Sequence, residues 1–210
     1  MAKFRISYNA PVVLTFALLA VAVFVITSEH VMPSAKLWFA AWPEFHDTRS
    51  YAGLVSHILG HGNWQHLLSN FMLILLIGPI LEERFGSTAL LVMIVATAIV
   101  TGLIQVAFFN EMLIGASGIV FMMIVLASTA NIRQGEIPLT FIAVVLIYVG
   151  GELVRAVSND DQVSQAAHII GGITGGVFGF LSAKGRARSR AAAKPVDVLA
   201  PKAAARVQLK

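Results

Sequence analysis

The chain has 210 residues, 57% of them hydrophobic and only 12% charged, with a mean hydropathy of +0.79. A soluble domain carries about a quarter charged residues, so this composition excludes disorder and an ordinary water-soluble globule and points to a membrane. No cysteine is present, which removes disulfides, thiolate metal sites and cysteine nucleophiles, and the net charge of +4 hides a run from Lys184 to Lys210 with eight Lys/Arg against the single Asp197.

In chain order, the uncharged stretch from Ile6 to Ser28 is long enough to span. Its apolar core, Pro11 to Ile26, exceeds the about 7–15 residues of a signal-peptide core, and no small-x-small site follows, so it reads as a first span. Residues 29 to 60 mix Glu29, Lys36, Glu44, Asp47 and Arg49 with Trp38, Phe39 and Trp42, which predicts a long first loop lying partly in the membrane interface. From Ser50 to Leu81 no Asp, Glu, Lys or Arg occurs, and the part from about Asn63 predicts a second span closed by Glu82-Glu83-Arg84. Ser87 to Asn110 is the third. Met112 to Ile132 is uncharged, but Gly115-Ala-Ser-Gly118 breaks its start, leaving roughly 15 residues and about 22 Å of helix for a fourth span that begins below the surface. Pro138 opens a fifth span reaching about Leu153, and Gln162 to Ala183 forms a sixth.

Six spans put both termini on one side. Lys3, Arg5, Arg84, Arg133 and the Lys184 to Arg190 cluster fall there, against Lys36, Arg49 and Arg155 opposite, so that side is expected to be cytoplasmic. The expected organisation is an all-α multi-pass domain over residues 1–183, followed by a basic, disordered cytoplasmic tail over 184–210. The charge bias suits a bacterial inner (plasma) membrane. A basic run after an apolar helix suits membrane lipid better than nucleic acid, so no nucleic-acid partner is expected.

Polar side chains inside a membrane are expensive and are functional candidates by default. On this topology His66 and Asn70 lie near the start of span two, Ser117 at the start of span four and His168 early in span six, all at similar depth in the outer half of the bilayer. His66 and Asn70 are spaced i, i+4 and share a helix face. Ser117 sits between Gly115 and Gly118, at a helix start whose free N–H groups suit a developing oxyanion. A serine needs a base to become a nucleophile, and His168 is the only histidine in the second half of the chain. Gly171 and Gly175 share its face and permit close helix approach. Singly, each of these residues reads as a cap, a packing face or an interhelical hydrogen bond; their coincidence at one depth is what favours a site. His57, His61 and His66 have no accompanying carboxylate or cysteine, and H-E-x-x-H is absent, so no metal and no cofactor is expected. Glu82 and Arg84 read as partners of a helix end, and Glu152 with Arg155 as an interfacial pair.

Four segments together, His61-Gly-Asn-Trp-Gln-His66-Leu-Leu-Ser-Asn70, Glu82-Glu-Arg84-Phe-Gly86, Gly115-Ala-Ser117-Gly118 and Ala167-His168-Ile-Ile-Gly171-Gly-Ile-Thr-Gly175, closely resemble the rhomboid intramembrane serine proteases in order and spacing. The resemblance implies a six-transmembrane-helix rhomboid-like bundle with a long interfacial first loop, cleaving single-span transmembrane substrates within or near their membrane segment. It implies Ser117 as nucleophile, His168 as general base, and His66, Asn70 and the Ser117 N–H as oxyanion hole. His61 would be a structural partner of the first loop, and Gly115 part of the catalytic turn. Two departures are visible. Phe121 stands where members commonly have a tyrosine, able to pack on His168 but not to hydrogen-bond, and the Trp-Arg pair many members carry in the first loop is missing. A non-catalytic rhomboid-like binder needs none of these four polar residues together. A transporter would show two similar halves with paired helix breaks, which the sequence lacks. Oligomeric state, substrate identity and the gating element, span five or the loops, are not legible.

Overall fold

The computed structural model describes residues 7–45, 47–129, 137–150 and 162–192. The helices are α1 (Pro11–Ile26), α2 (Thr48–Ser56), α3 (Trp64–Phe85), α4 (Ser87–Phe108), α5 (Ser117–Ser128), α6 (Leu139–Val144) and α7 (Gln162–Ala192). Two 3₁₀ turns, Pro33–Phe39 and His57–Leu59, lie in the first loop, and α6 runs on into a π-helical turn at Val145–Val149.

Local chemistry explains the boundaries. Pro11 occupies the first turn of α1, where its fixed φ suits a helix start and its missing N–H costs nothing. The next two N–H groups, of Val12 and Val13, donate to the two oxygens of Glu82 at 2.9 and 3.0 Å, and Ser87 Oγ donates to the same carboxylate at 2.7 Å. One buried acidic residue near the end of α3 therefore holds the starts of α1 and α4. Gly86, with φ +84°, lets the chain reverse directly from α3 into α4. Asp47 caps α2 by accepting from the N–H groups of Arg49 and Ser50, and Asn63 caps α3 by accepting from the N–H of His66 at 2.8 Å.

Seven of the twelve residues of α5 are buried, on all its faces, which makes it the central helix. At about 18 Å it is well short of a bilayer core. Phe16 meets Phe71 edge-on and Phe24 stacks on Trp64, so α1 and α3 run antiparallel. The starts of α3, α5 and α7 gather at one end of the bundle and the start of α4 lies at the other. Among the described residues three helices, Trp64–Phe85, Ser87–Phe108 and Gln165–Gly185, are long and apolar enough to cross a membrane, and Pro11–Ile26 and Ser117–Ser128 are shorter apolar helices. Outward-facing Leu68, Met72, Leu76 and Ile80 on α3 and Ile173 and Leu181 on α7 are more than half exposed, a surface that lipid covers. This is an all-helical integral membrane protein.

Several boundaries differ from expectation. The first loop contains a capped helix, α2, because Asp47 provides a helix start among residues whose mixed polarity reads as loop. Helix α7 continues past Ala183 through Ala192, since the Ala/Arg/Ser run is favourable to helix and no proline intervenes before Pro195. Arg133, the Glu152–Arg155 pair, Lys3, Arg5 and the tail beyond Ala192 lie outside the described residues.

Candidate active site

The turn before α5 is fixed from two sides. Leu113 pairs with Ala41 of the first loop through two antiparallel backbone hydrogen bonds, with the Ala41 N–H donating at 2.9 Å and the Leu113 N–H at 3.0 Å. Gly115 then donates its N–H to the His57 carbonyl at 3.0 Å. Its φ of +122° is a conformation side chains rarely adopt, and a Cβ there would come within 2.6 Å of the His66 ring. The requirement for glycine is thus both conformational and steric. Ala116 gives α5 no side-chain cap, so the first N–H groups of the helix, that of Ser117 among them, have no capping side chain and the positive end of the helix dipole lies at Ser117.

His66 stands in the first turn of α3, oriented by the Asn63 cap, and Asn70 follows one turn later. Asn70 is buried and its Nδ2 donates to His61 Nε2 at 3.1 Å, while His61 Nδ1 donates to the Leu59 carbonyl at 3.2 Å. A carbonyl can only accept, so Nδ1 carries the proton and Nε2 is the acceptor. This chain fixes which end of the Asn70 amide is the donor, and Nδ2 lies 3.8 Å from a Cβ position on Gly115. Burial pushes His61 down to about 4, which keeps it in the neutral form the chain requires.

Serine and histidine are brought near one another by glycine contacts. A Cβ on Gly171 would lie 2.1 Å from the Gly118 carbonyl oxygen and one on Gly175 2.3 Å from that of Met122, so α5 and α7 run parallel in backbone contact. His168 lies one turn before Gly171. Its ring stacks on Phe121 with centroids 4.4 Å apart and planes 7° apart. Phe121 is one turn along α5 from Ser117 and on the same face, so the imidazole stands on the serine's side of the helix. Gln165, buried one turn earlier on α7, has an Oε1 without a hydrogen-bond partner among the described residues.

His57 is a scaffold residue that the sequence reading treats only as a weak metal candidate. Its carbonyl receives Gly115, its Nδ1 donates to the Gly53 carbonyl at 3.0 Å, and its Nε2 lies 3.3 Å from Thr101 Oγ1 on α4. Burial pushes its ring down to about 4. A signal exists in the sequence: Thr97, Thr101 and Gln105 form an i, i+4, i+8 polar stripe on the otherwise apolar α4, and all three are buried. Thr97 meets Thr174 of α7 at 3.3 Å, and Gln105 donates to the Glu111 carbonyl below the Ser117 turn. Among the described residues no group of His, Asp or Glu could hold a metal ion.

Fold and site together define an integral membrane helical bundle that gathers a serine, two histidines and an asparagine around one glycine turn. The family model for the Rhomboid domain matches residues 48–185, about two thirds of the chain, and the chain belongs to the rhomboid family. It is similar to the Rhomboid protease GlpG of Haemophilus influenzae, 28% identical over 138 residues that cover 64% of this chain and 71% of that protein. It is also similar to Rhomboid-related protein 1 of Caenorhabditis elegans, 36% identical over 143 residues, 60% of this chain and 38% of the nematode protein.

Proposed function

We infer that this protein is an intramembrane serine endopeptidase that cleaves single-span transmembrane substrates within or near their membrane segment, with Ser117 and His168 as catalytic dyad. The observation that carries the reading is the stacking of His168 on Phe121, one turn from Ser117 on the same face of a central helix. Gly115, beside the serine, brings His66 and Asn70 to the same turn. The similarity to a rhomboid protease from Haemophilus influenzae supports it.

In the reaction, His168 takes the Ser117 Oγ proton as that oxygen attacks the scissile carbonyl carbon. The negative charge moves to the carbonyl oxygen, which accepts from the Ser117 N–H, Asn70 Nδ2 and the His66 ring. The C–N bond then breaks, and His168 returns the proton to the leaving amine. Water, losing a proton to His168, attacks the acyl ester and restores Ser117. Phe121 keeps the imidazole plane fixed by stacking and Asn70 is held by His61, so neither group reorients during the reaction. The same reading takes the bundle as six spans over residues 1–183 in a bacterial inner membrane, both termini cytoplasmic, with 184–210 as a basic tail. No cofactor enters these steps.

The test is cleavage of a single-span substrate carrying a helix-destabilising segment near its outer end, by the purified wild type, Ser117→Ala and His168→Ala. Wild type is expected to cut and both variants to lose at least about 10³-fold in rate while remaining folded. Equal cutting by Ser117→Ala would overturn the nucleophile. Capture of substrate without cutting by wild type, together with no labelling of Ser117 by a fluorophosphonate, would return the non-catalytic binder.

A further inference from the structure

Gln165 stands on α7 one turn before His168, is only 6% exposed, and keeps a buried Oε1 that accepts from none of the described residues. An amide oxygen in that state costs stability, because water no longer solvates it and no donor replaces the water. Donors on the neighbouring elements are engaged elsewhere. Asn70 Nδ2 donates to His61, Thr101 Oγ1 to the carbonyls of Thr97 and Ala98, and Gln105 Nε2 to the Glu111 carbonyl. A methionine would fill nearly the same space without the unpaired oxygen.

Helix geometry places a donor within reach. Residues at i and i+3 are neighbours on a helix surface, with Cβ atoms about 5–6 Å apart. A helical side chain also leans toward the N-terminus, over the turn before its own, so the His168 ring leans toward Gln165. Nδ1, the ring nitrogen nearer the backbone, is buried, and Nε2 at the outer end is the one with reach to Ser117. For Nε2 to take the serine proton, Nδ1 must carry the other N–H. The last torsion of a glutamine is soft, so a small rotation turns Oε1 to that N–H.

We propose that Gln165 is a positioning residue for His168, its Oε1 accepting from Nδ1–H as the imidazolium forms and holding the ring with Nε2 toward Ser117. The inference deepens the dyad reading and rests on it. No proton passes to Gln165: the Ser117 Oγ proton goes to Nε2, and the Nδ1 proton stays on the ring throughout. Stacking on Phe121 sets the plane of the imidazole but not which nitrogen faces the serine, and a bond to Nδ1 sets the second. Hydrogen bonds to an ion are about twice as strong as neutral ones. The contact therefore strengthens as charge develops on His168, and favours the transition state over a resting enzyme in which the oxygen stands unpaired.

The full chain is purified as wild type, Gln165→Met, Gln165→Glu and Ser117→Ala, and each is assayed on the single-span substrate and by thermal unfolding in detergent. Gln165→Met is expected to lower kcat about 10- to 100-fold, the worth of one hydrogen bond to an ion, with KM unchanged. Its melting midpoint is expected to hold or rise, because the oxygen it removes is unpaired at rest. Gln165→Glu keeps an acceptor oxygen in the same place and is expected to recover most of the lost kcat. The rate at which a fluorophosphonate labels Ser117 is expected to follow kcat in the two Gln165 variants. Wild-type kcat in Gln165→Met, beside an inactive Ser117→Ala, would overturn the role of Gln165 and leave the dyad standing. A melting midpoint that falls together with kcat in both Gln165 variants would make the glutamine a packing residue and overturn the positioning role. A Gln165→Met loss confined to KM would overturn it too, placing the amide against substrate. Cutting by Ser117→Ala would overturn the dyad and this inference with it.

Discussion

The α5–α7 contact and the segment from Leu139 to Gly150 flank the same central helix and are built in opposite ways. In the first, Gly171 and Gly175 bring backbone against the carbonyls of Gly118 and Met122, with no side chain between. In the second, no residue of Leu139–Val144 is buried, and Leu139, Leu146 and Ile147 are each at least two thirds exposed. A ring contact between Phe141 and Phe180, with centroids 5.6 Å apart, links that segment to α7. Backbone contact cannot slide or repack as side chains do, so it fixes His168 relative to Ser117. The flank carries no comparable constraint.

The largest effect is expected where that contact is filled. Gly171→Val would drive Cβ into a backbone oxygen that cannot swing aside, at a cost of at least about 3 kcal/mol and with loss of any activity. Gly176→Ala is its control, because a Cβ there meets only Val125 Cγ1, at an ordinary 3.9 Å. That variant is expected to be neutral or to gain up to about 1 kcal/mol from helix propensity. Thermal unfolding in detergent reads both. Similar midpoints for the two variants would remove the argument that backbone contact holds the site.

Gly115→Ala is next. It imposes a strained φ of about 1–3 kcal/mol and pushes on the His66 ring, a side chain that yields only by leaving its edge contact with the His61 ring, 5.0 Å away between centroids. Activity is therefore expected to fall further than stability, with kcat lowered by about 10²-fold or more if His66 donates to the oxyanion. A fall in melting temperature with kcat unchanged would take His66 out of the oxyanion hole.

The same comparison explains what the sequence made legible. Helices α3 and α4 are long, apolar and bounded by Asn63, Gly86 and charged residues, so their ends are readable to within a residue or two. The polar set His66, Asn70, Ser117 and His168 is readable because each interrupts an apolar stretch. What holds the set together is less visible. The role of Gly115 depends on a φ and on a neighbour 49 positions earlier in the chain. His57 holds the Gly115 turn through its carbonyl, an atom every residue possesses, so its spacing from His61 suggests a metal ligand and only the Thr97/Thr101/Gln105 stripe on α4 hints at a scaffold. Helix α2 hides in mixed polarity until the Asp47 cap is seen. The π turn in the flank leaves no mark in an uninterrupted apolar run.

Acid is expected to loosen the first-loop scaffold beneath the Ser117 turn, where His57 receives Gly115 and His61 holds Asn70. The ordinary histidine value is near 6.5, and His57 and His61 are both pushed by burial to about 4 in the folded protein. As pH falls below 6.5 the unfolded chain takes up protons that the folded one refuses, so stability is full above about 6.5 and declines toward 4. The melting midpoint in detergent, measured from about pH 7.5 to about 4.5, is expected to drop across that window. A flat profile would mean that these two rings stay neutral in both states or are solvated when folded.

The smallest effect is expected on the flank itself. Leu146→Ala removes a side chain that is 67% exposed and so touches mainly lipid. Its change in stability is expected within about 0.5 kcal/mol, as for other substitutions away from packed contacts. The informative quantity is the ratio of its effect to that of Gly171→Val, measured by the same unfolding assay in the same detergent. A ratio far below one means that the two sides of α5 are energetically as unequal as they are structurally. A Leu146→Ala loss approaching that of Gly171→Val would show instead that the flank packs in the membrane against something other than helices α1 to α7.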